Sequence, residues 1–200
     1  GEVQALLVGD AIRERRQRLR RIVEAMDLGD VVQVRGEPRF ETIASILASA
    51  DLALVSAAAV PRFQELGDLP QPILEPMACR RPVIAAGVPA VAEVIRDERD
   101  GLLYMPGDEV SLADAVTQVL ENEGLQQRLA ASAYERVRES FSLGQRRRRL
   151  LEFYETLCPG SQGFDPWNEA FDREVSRLVP AVEASGDSHR PAAVDDTVED

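Results

Sequence analysis

The chain has 200 residues, 44% of them hydrophobic and 29% charged, which is enough for one globular domain of ordinary size with a remainder. A formal net charge of -12 argues against a general nucleic-acid binder, which needs a basic surface. All 23 basic residues are arginine and the single histidine is His189, which excludes Schiff-base and Walker-type lysines and leaves most histidine zinc sites and Ser-His-Asp triads without their key residue.

Read from the first residue, the hydrophobic pattern alternates between short apolar runs and helical periods. Strands are expected at Val3–Val8, Val31–Val34, Leu52–Val55, Val83–Ala86 and Leu102–Tyr104. Helices are expected between them at Ile12–Met26, Phe40–Ala48, Ile73–Cys79 and Pro89–Ile95, followed by Ser111–Asn122, Gly124–Ser140 and Gly144–Leu157. This order predicts an α/β fold, a doubly wound parallel sheet with helices on both faces and a helical C-terminal extension. Continuous apolar strands agree with burial on both sides. The longest uncharged apolar runs, such as Leu52 to Pro61, are too short to cross a bilayer. Cys79 and Cys158 stand apart without a CxxC pair, so free thiols and a reducing compartment are expected, with Cys79 as a small core residue.

In such a sheet, ligands lie beyond the carboxyl ends of the strands. The loop after Val8 reads Gly9-Asp10-Ala11 and has no GxGxxG, so the dinucleotide fingerprint is absent. The loop after Val55 is long and enters a helix through Pro70-Gln71-Pro72, residues that preset a first turn whose amides attract phosphate. Glu75 lies one turn into that helix, where a carboxylate can accept from both hydroxyls of a ribose. It can equally well do no more than complement the positive end of the helix dipole.

The stretch Ile73-Leu74-Glu75-Pro76-Met77-Ala78-Cys79-Arg80-Arg81-Pro82-Val83-Ile84-Ala85 resembles the "LLEAMACGKPVVA" segment of glycosyltransferases of family 4. Glu93-Val94-Ile95, Asp100-Gly101-Leu102-Leu103, Pro106-Gly107-Asp108 and Phe141-Ser142 are similar, in the same order, to that family's "GGVPEVI", "DGxxGLLV", "PGDPEALA" and "FSW" motifs. Upstream, Val32-Val34-Gly36 and Ala50-Asp51-Leu52 resemble its "VxFxG" and "ADV" strands, so the likeness covers about residues 3–157. The resemblance implies a GT-B fold, two Rossmann-like domains facing across a cleft, of which this chain is the donor-binding half. It implies a glycosyltransferase of polysaccharide biosynthesis that moves a sugar from a nucleoside-diphosphate sugar to an acceptor hydroxyl with retention, without a metal or other cofactor. Glu75 is implied as the ribose contact, with Gln71, Ile73 and Leu74 beside it in the donor site. Glu65, Asp68 and Gly87 are candidates for the donor-sugar or phosphate loop.

Departures from the family pattern bear on catalysis. The family's first glutamate falls at Gly67, flanked by Glu65 and Asp68, and a customary glycine falls at Pro70, which has no amide. Arg80 replaces the glycine that ends the helix, and Pro89-Ala90 replaces the paired glycines near the donor sugar. The chain begins at what resembles the family's second strand, so residues 1–158 are expected to be the nucleotide-sugar-binding domain without its first strand and helix. Its N-terminal acceptor domain is expected upstream of Gly1. Residues 159–184 are expected to form a linker and amphipathic helix, with Asp165 as cap and Phe171, Val175, Leu178 and Val182 on one face. Residues 185–200 are expected to be a disordered acidic tail.

The arginines of Arg13–Arg21 and Arg146–Arg149 read either as solvated helix faces or as contacts to an anionic membrane. A cytoplasmic protein, peripheral to the inner face of the membrane, fits the second reading. Three functions therefore compete: the enzyme's donor half, a catalytically degenerate glycosyltransferase-like binding or scaffold module, and another GT-B sugar-nucleotide enzyme such as an epimerase. The last is expected to carry a histidine and additional acids in its sheet loops, which this chain lacks.

Overall fold

The structure is a computed structural model that describes residues 3–9, 13–56 and 71–157. The elements run in the order β1 (Ala5–Val8), α1 (Arg13–Ala25), β2 (Val32–Arg35), α2 (Phe40–Ser49), β3 (Ala53–Val55), α3 (Gln71–Ala78), β4 (Val83–Ala86), α4 (Pro89–Ala92), β5 (Leu102–Tyr104), α5 (Glu109–Leu120), α6 (Glu123–Ser140) and α7 (Leu143–Leu157). Every expected element within the described residues is present, and every strand pairing is parallel. The chain divides after Ala50 into two compact units. The expected boundary at 158–159, the amphipathic helix and the acidic tail lie outside the described residues.

In the first unit, β1 pairs with β2 in register Ala5↔Val32 to Val8↔Arg35. Arg20 of α1 donates from Nη2 to the Val34 carbonyl at 3.2 Å, tying helix to strand. The expected burial of β1 on both faces is not observed, because all four of its residues are exposed. A two-stranded sheet with short helices cannot cover both of its surfaces. For the same reason α1 leaves Leu19, Ile22 and Met26 exposed, although their spacing predicts an inward face.

The second unit has a core on each face of a three-stranded sheet ordered β3-β4-β5. Successive side chains of a strand point to opposite faces, so β4 divides cleanly. Val83 and Ala85 pack with Ile73 and Met77 of α3, Val91, Val94, Ile95 and Ala133. Ile84 and Ala86 pack with Leu102 and Tyr104 of β5, Ala115 and Val119 of α5, and Leu125 and Leu129. Because α6 contributes Leu125 and Leu129 to one cluster and Ala133 to the other, this one helix braces both layers.

The motifs that opened these loops have physical causes. Gly107 has φ +81° in the turn Met105-Pro106-Gly107-Asp108, closed by the Asp108 amide on the Met105 carbonyl at 3.0 Å. A type II turn demands that left-handed third residue. Gly101 is required by space, since a Cβ there would sit 2.9 Å from the Val83 carbonyl oxygen and 2.8 Å from Ile95 Cγ2. The preceding Asp100 is fully buried and accepts from the Arg96 amide and from Arg96 Nε, both at 2.5 Å. The edge strand β5 is closed by side chains, because the Leu103 amide donates to Asp97 Oδ1 at 2.8 Å and the Met105 amide to Ser111 Oγ at 3.0 Å. Such caps keep an edge from templating another strand.

Candidate functional site

Parallel strands put their carboxyl ends together, so Val55, Ala86 and Tyr104 mark the edge where a ligand of this fold class sits. Three helices start there, and they differ in what they can offer. The start of α5 is occupied by its own cap: Asp108 Oδ1 accepts from the Val110 and Ser111 amides at 2.9 and 3.1 Å. The start of α4 is nearly spent as well. The Gly87 amide donates to the Tyr104 carbonyl at 2.8 Å, the Val88 amide to the Ala86 carbonyl, and Pro89 has no amide. Gly87 thus offers no free amide, and a Cβ there would lie 3.2 Å from the Tyr104 carbonyl oxygen.

The start of α3 is different. A helix leaves its first amides without intrahelical acceptors, and Pro72 lacks an amide, so Gln71 and Ile73 supply those that remain. Gln71 is exposed and Leu74 half-buried. The Ile73 side chain is fully buried against Met77 and Val83, so only its backbone can serve a ligand.

Glu75 stands one turn further on, on the Gln71 face of α3. It is half-buried, and among the described residues no hydrogen bond or ion pair reaches its carboxylate. Burial raises its pKa above the usual 4.5, because removal from water penalises the charged form. A half-buried carboxylate beside a helix start, with no donor among the described residues, is chemically suited to take donors from a ligand, such as paired hydroxyls. Cys79, one further turn along the same face, is half-buried rather than core, and its thiol pKa is raised by burial and secondarily by Glu75, against a lowering from Arg81. Glu65 and Asp68 lie outside the described residues.

The helix closes in a Schellman pattern, with the Arg80 amide on the Met77 carbonyl and the Arg81 amide on the Pro76 carbonyl. Arg80 occupies the left-handed position at φ +54°, and its guanidinium lies 3.9 Å from the ring centroid of Tyr134 on α6. Sequence reading noted Arg80 as a departure but missed both its conformation and its aromatic partner. It also missed Arg136, which donates to the Glu93 and Val94 carbonyls at 3.2 and 3.4 Å. Their one signal is an aromatic and an arginine placed inside an apolar helical period, Ala133-Tyr134-Glu135-Arg136-Val137.

An open depression of about 340 Å³ at the outer edge of β5 is lined by Asp97, Glu98, Asp108 and Asp114 among others. Two of these acids are already engaged, Asp97 on strand and loop amides and Asp108 as a cap. Among the described residues no group of three His, Cys, Asp or Glu is placed to hold a metal ion, and no helix is long and apolar enough to cross a membrane.

Parallel strands, crossover helices on both faces and a ligand edge at the strand ends define a Rossmann-like α/β fold. Residues 1–122 match the family described as glycosyl transferases group 1, and the chain belongs to that family. It is 29% identical over 156 residues to an alpha-D-kanosaminyltransferase of Streptomyces kanamyceticus, an alignment covering 78% of this chain and 38% of that protein. Sucrose-phosphate synthase from Thermosynechococcus elongatus superposes with a TM-score of 0.65 at 29% identity, over 77% of this chain and 38% of that one. Anabaena Alr3699/HepE, solved in complex with UDP-glucose, superposes with a TM-score of 0.66 at 24% identity, over 77% of this chain and 41% of that one. The chain thus spans about two fifths of the length of these relatives.

Proposed function

We propose that this chain is the donor-binding part of a retaining, family 4 glycosyltransferase that uses a nucleoside-diphosphate sugar. The observation that carries the reading is Glu75: a half-buried carboxylate to which no described residue donates, one turn into the helix that follows β3. The ribose hydroxyls donate to Glu75, while the Gln71 and Ile73 amides and the positive end of α3 face the diphosphate. Glu65, Asp68 and Gly87 are the candidates for the donor-sugar or phosphate loop. The Anabaena protein is solved in complex with UDP-glucose, which supports a ligand of this class.

Transfer passes through an oxocarbenium-like transition state in which negative charge builds on the departing diphosphate. The protein's task is to hold that charge and keep the acceptor hydroxyl in line. The reading requires no metal: helix amides and side chains carry the diphosphate. It places the protein in the cytoplasm, with the α1 and α7 arginines toward the anionic inner face of the membrane.

The test uses the full-length protein with UDP- and GDP-sugars. Release of nucleoside diphosphate together with a product whose anomeric configuration by NMR equals that of the donor supports the reading. Binding of nucleotide without any turnover would instead favour a degenerate binding module, which the replaced glutamate at Gly67 and the proline at 70 would permit.

A further inference from the structure

Resting on that donor-binding reading, we propose that Arg136 is a positioning residue that fixes the turn at the C-terminal end of α4, so that one turn of α6 sets both ligand-facing elements in place. The helix α4 is only four residues long, has no side-chain cap, and starts with a proline. So short a helix does not hold itself, since nucleation costs more than its few hydrogen bonds return. Its amides lean on the Val88 carbonyl, which receives both the Val91 and the Ala92 amide at 3.0 Å.

The carbonyls of Glu93 and Val94 project past the end of that helix. The amide that would return to Val94 in a continuing helix belongs to Glu98, and it donates to Asp97 Oδ1 at 3.0 Å instead. Arg136 takes the vacated role. Its Nη2 reaches the Glu93 carbonyl at 3.2 Å and its Nε the Val94 carbonyl at 3.4 Å. The guanidinium is itself held, with Nη1 on Ser140 Oγ at 3.3 Å and the Phe141 ring centroid 5.4 Å from Cζ. A planar fork spans two neighbouring carbonyls in a fixed geometry that a lysine ammonium, with all its donors on one nitrogen, matches less well.

The same turn of α6 grips α3. Ala133 packs in the cluster with Ile73 and Met77, and Tyr134 receives Arg80 from the end of α3. Ala133, Tyr134 and Arg136 therefore tie the C-terminal ends of α3 and α4 to one rigid helix. Their N-terminal ends, where Gln71 and Gly87 lie, face the proposed donor. Arg136 touches no ligand in this scheme and acts through the backbone it holds.

The experiment compares wild type, Arg136→Gln and Arg136→Lys in the full-length protein. It uses calorimetry with UDP and GDP as probes, hydrogen exchange at the Ala92–Ile95 amides, and thermal melting. Arg136→Gln should weaken nucleoside diphosphate binding about fivefold, measured far below its melting temperature, and accelerate exchange at those amides, as expected when hydrogen bonds from a charged donor are lost. Arg136→Lys should recover part of both effects. If Arg136→Gln fails to fold, Arg136→Lys carries the same comparison with smaller changes. Faster exchange with wild-type affinity, or weaker binding with unchanged exchange, overturns the proposal. Should the wild type bind neither UDP nor GDP, the donor reading fails separately, and the exchange at Ala92–Ile95 alone decides whether Arg136 fixes this turn.

Discussion

Arg80→Gly sets two effects of similar size against each other. Arg80 sits at φ +54°, where a side chain costs about 1–2 kcal/mol and a glycine costs nothing sterically. Glycine also loosens the unfolded chain, at about 0.4–1 kcal/mol, so the backbone gain shrinks to about 0.5–1 kcal/mol. The same substitution removes the guanidinium 3.9 Å above Tyr134, a contact worth about 0.5–1 kcal/mol at an exposed site. Arg80→Gly alone should therefore leave stability within about 0.5 kcal/mol of wild type. In a Tyr134→Leu background the contact is already gone, and the backbone gain should emerge in full. Urea unfolding of the wild type, the two single variants and the double variant closes the cycle, with an expected coupling of about 0.5–1 kcal/mol. An identical effect of Arg80→Gly in both backgrounds would show that the aromatic contact contributes nothing. Destabilisation in the Tyr134→Leu background would show that the left-handed backbone carries no strain.

Further expectations follow from individual contacts. Gly101→Ala should destabilise by about 1–3 kcal/mol, read by thermal melting, because its Cβ meets the Val83 carbonyl of the central strand. Asp108→Ala removes the side chain that caps two α5 amides and should cost about 0.5–2 kcal/mol in urea unfolding, whereas Asp108→Asn should retain most of it. Glu75 has a folded pKa raised above 4.5, so its protonated form favours folding at low pH, and that contribution is lost as pH rises through the raised value. The stability of Glu75→Gln relative to wild type should accordingly increase across that window, and a flat difference would contradict the burial of the carboxylate.

The fold was readable because its signals are local. The strand expected at Val83–Ala86 is found with those bounds and is buried at all four residues. The helix expected at Pro89–Ile95 ends at Ala92, and the reason is instructive. Val91, Val94 and Ile95 are all buried at helical spacing, and the backbone from Glu93 continues in a turn that keeps the period after α4 ends. Burial of β1 and of the α1 face was misread, because an apolar pattern says what a segment could bury, not whether its sheet is wide enough to cover it. Glu75 was legible as a carboxylate one turn into the helix after β3. Arg136 and Tyr134 were not, since their partners are backbone carbonyls and an arginine more than forty positions away, and no local spacing encodes such a distance.

The central claim is that Glu75 receives a nucleotide's ribose, and calorimetry of UDP and GDP against the full-length wild type and Glu75→Ala tests it most directly. Hydrogen bonds to a charged acceptor are worth about 1.5–3 kcal/mol, so the variant should bind about ten- to a hundredfold more weakly. Binding should also strengthen in the wild type, but not in the variant, as pH rises through the raised Glu75 pKa. Equal affinity of wild type and Glu75→Ala for the nucleotide that binds would contradict the account.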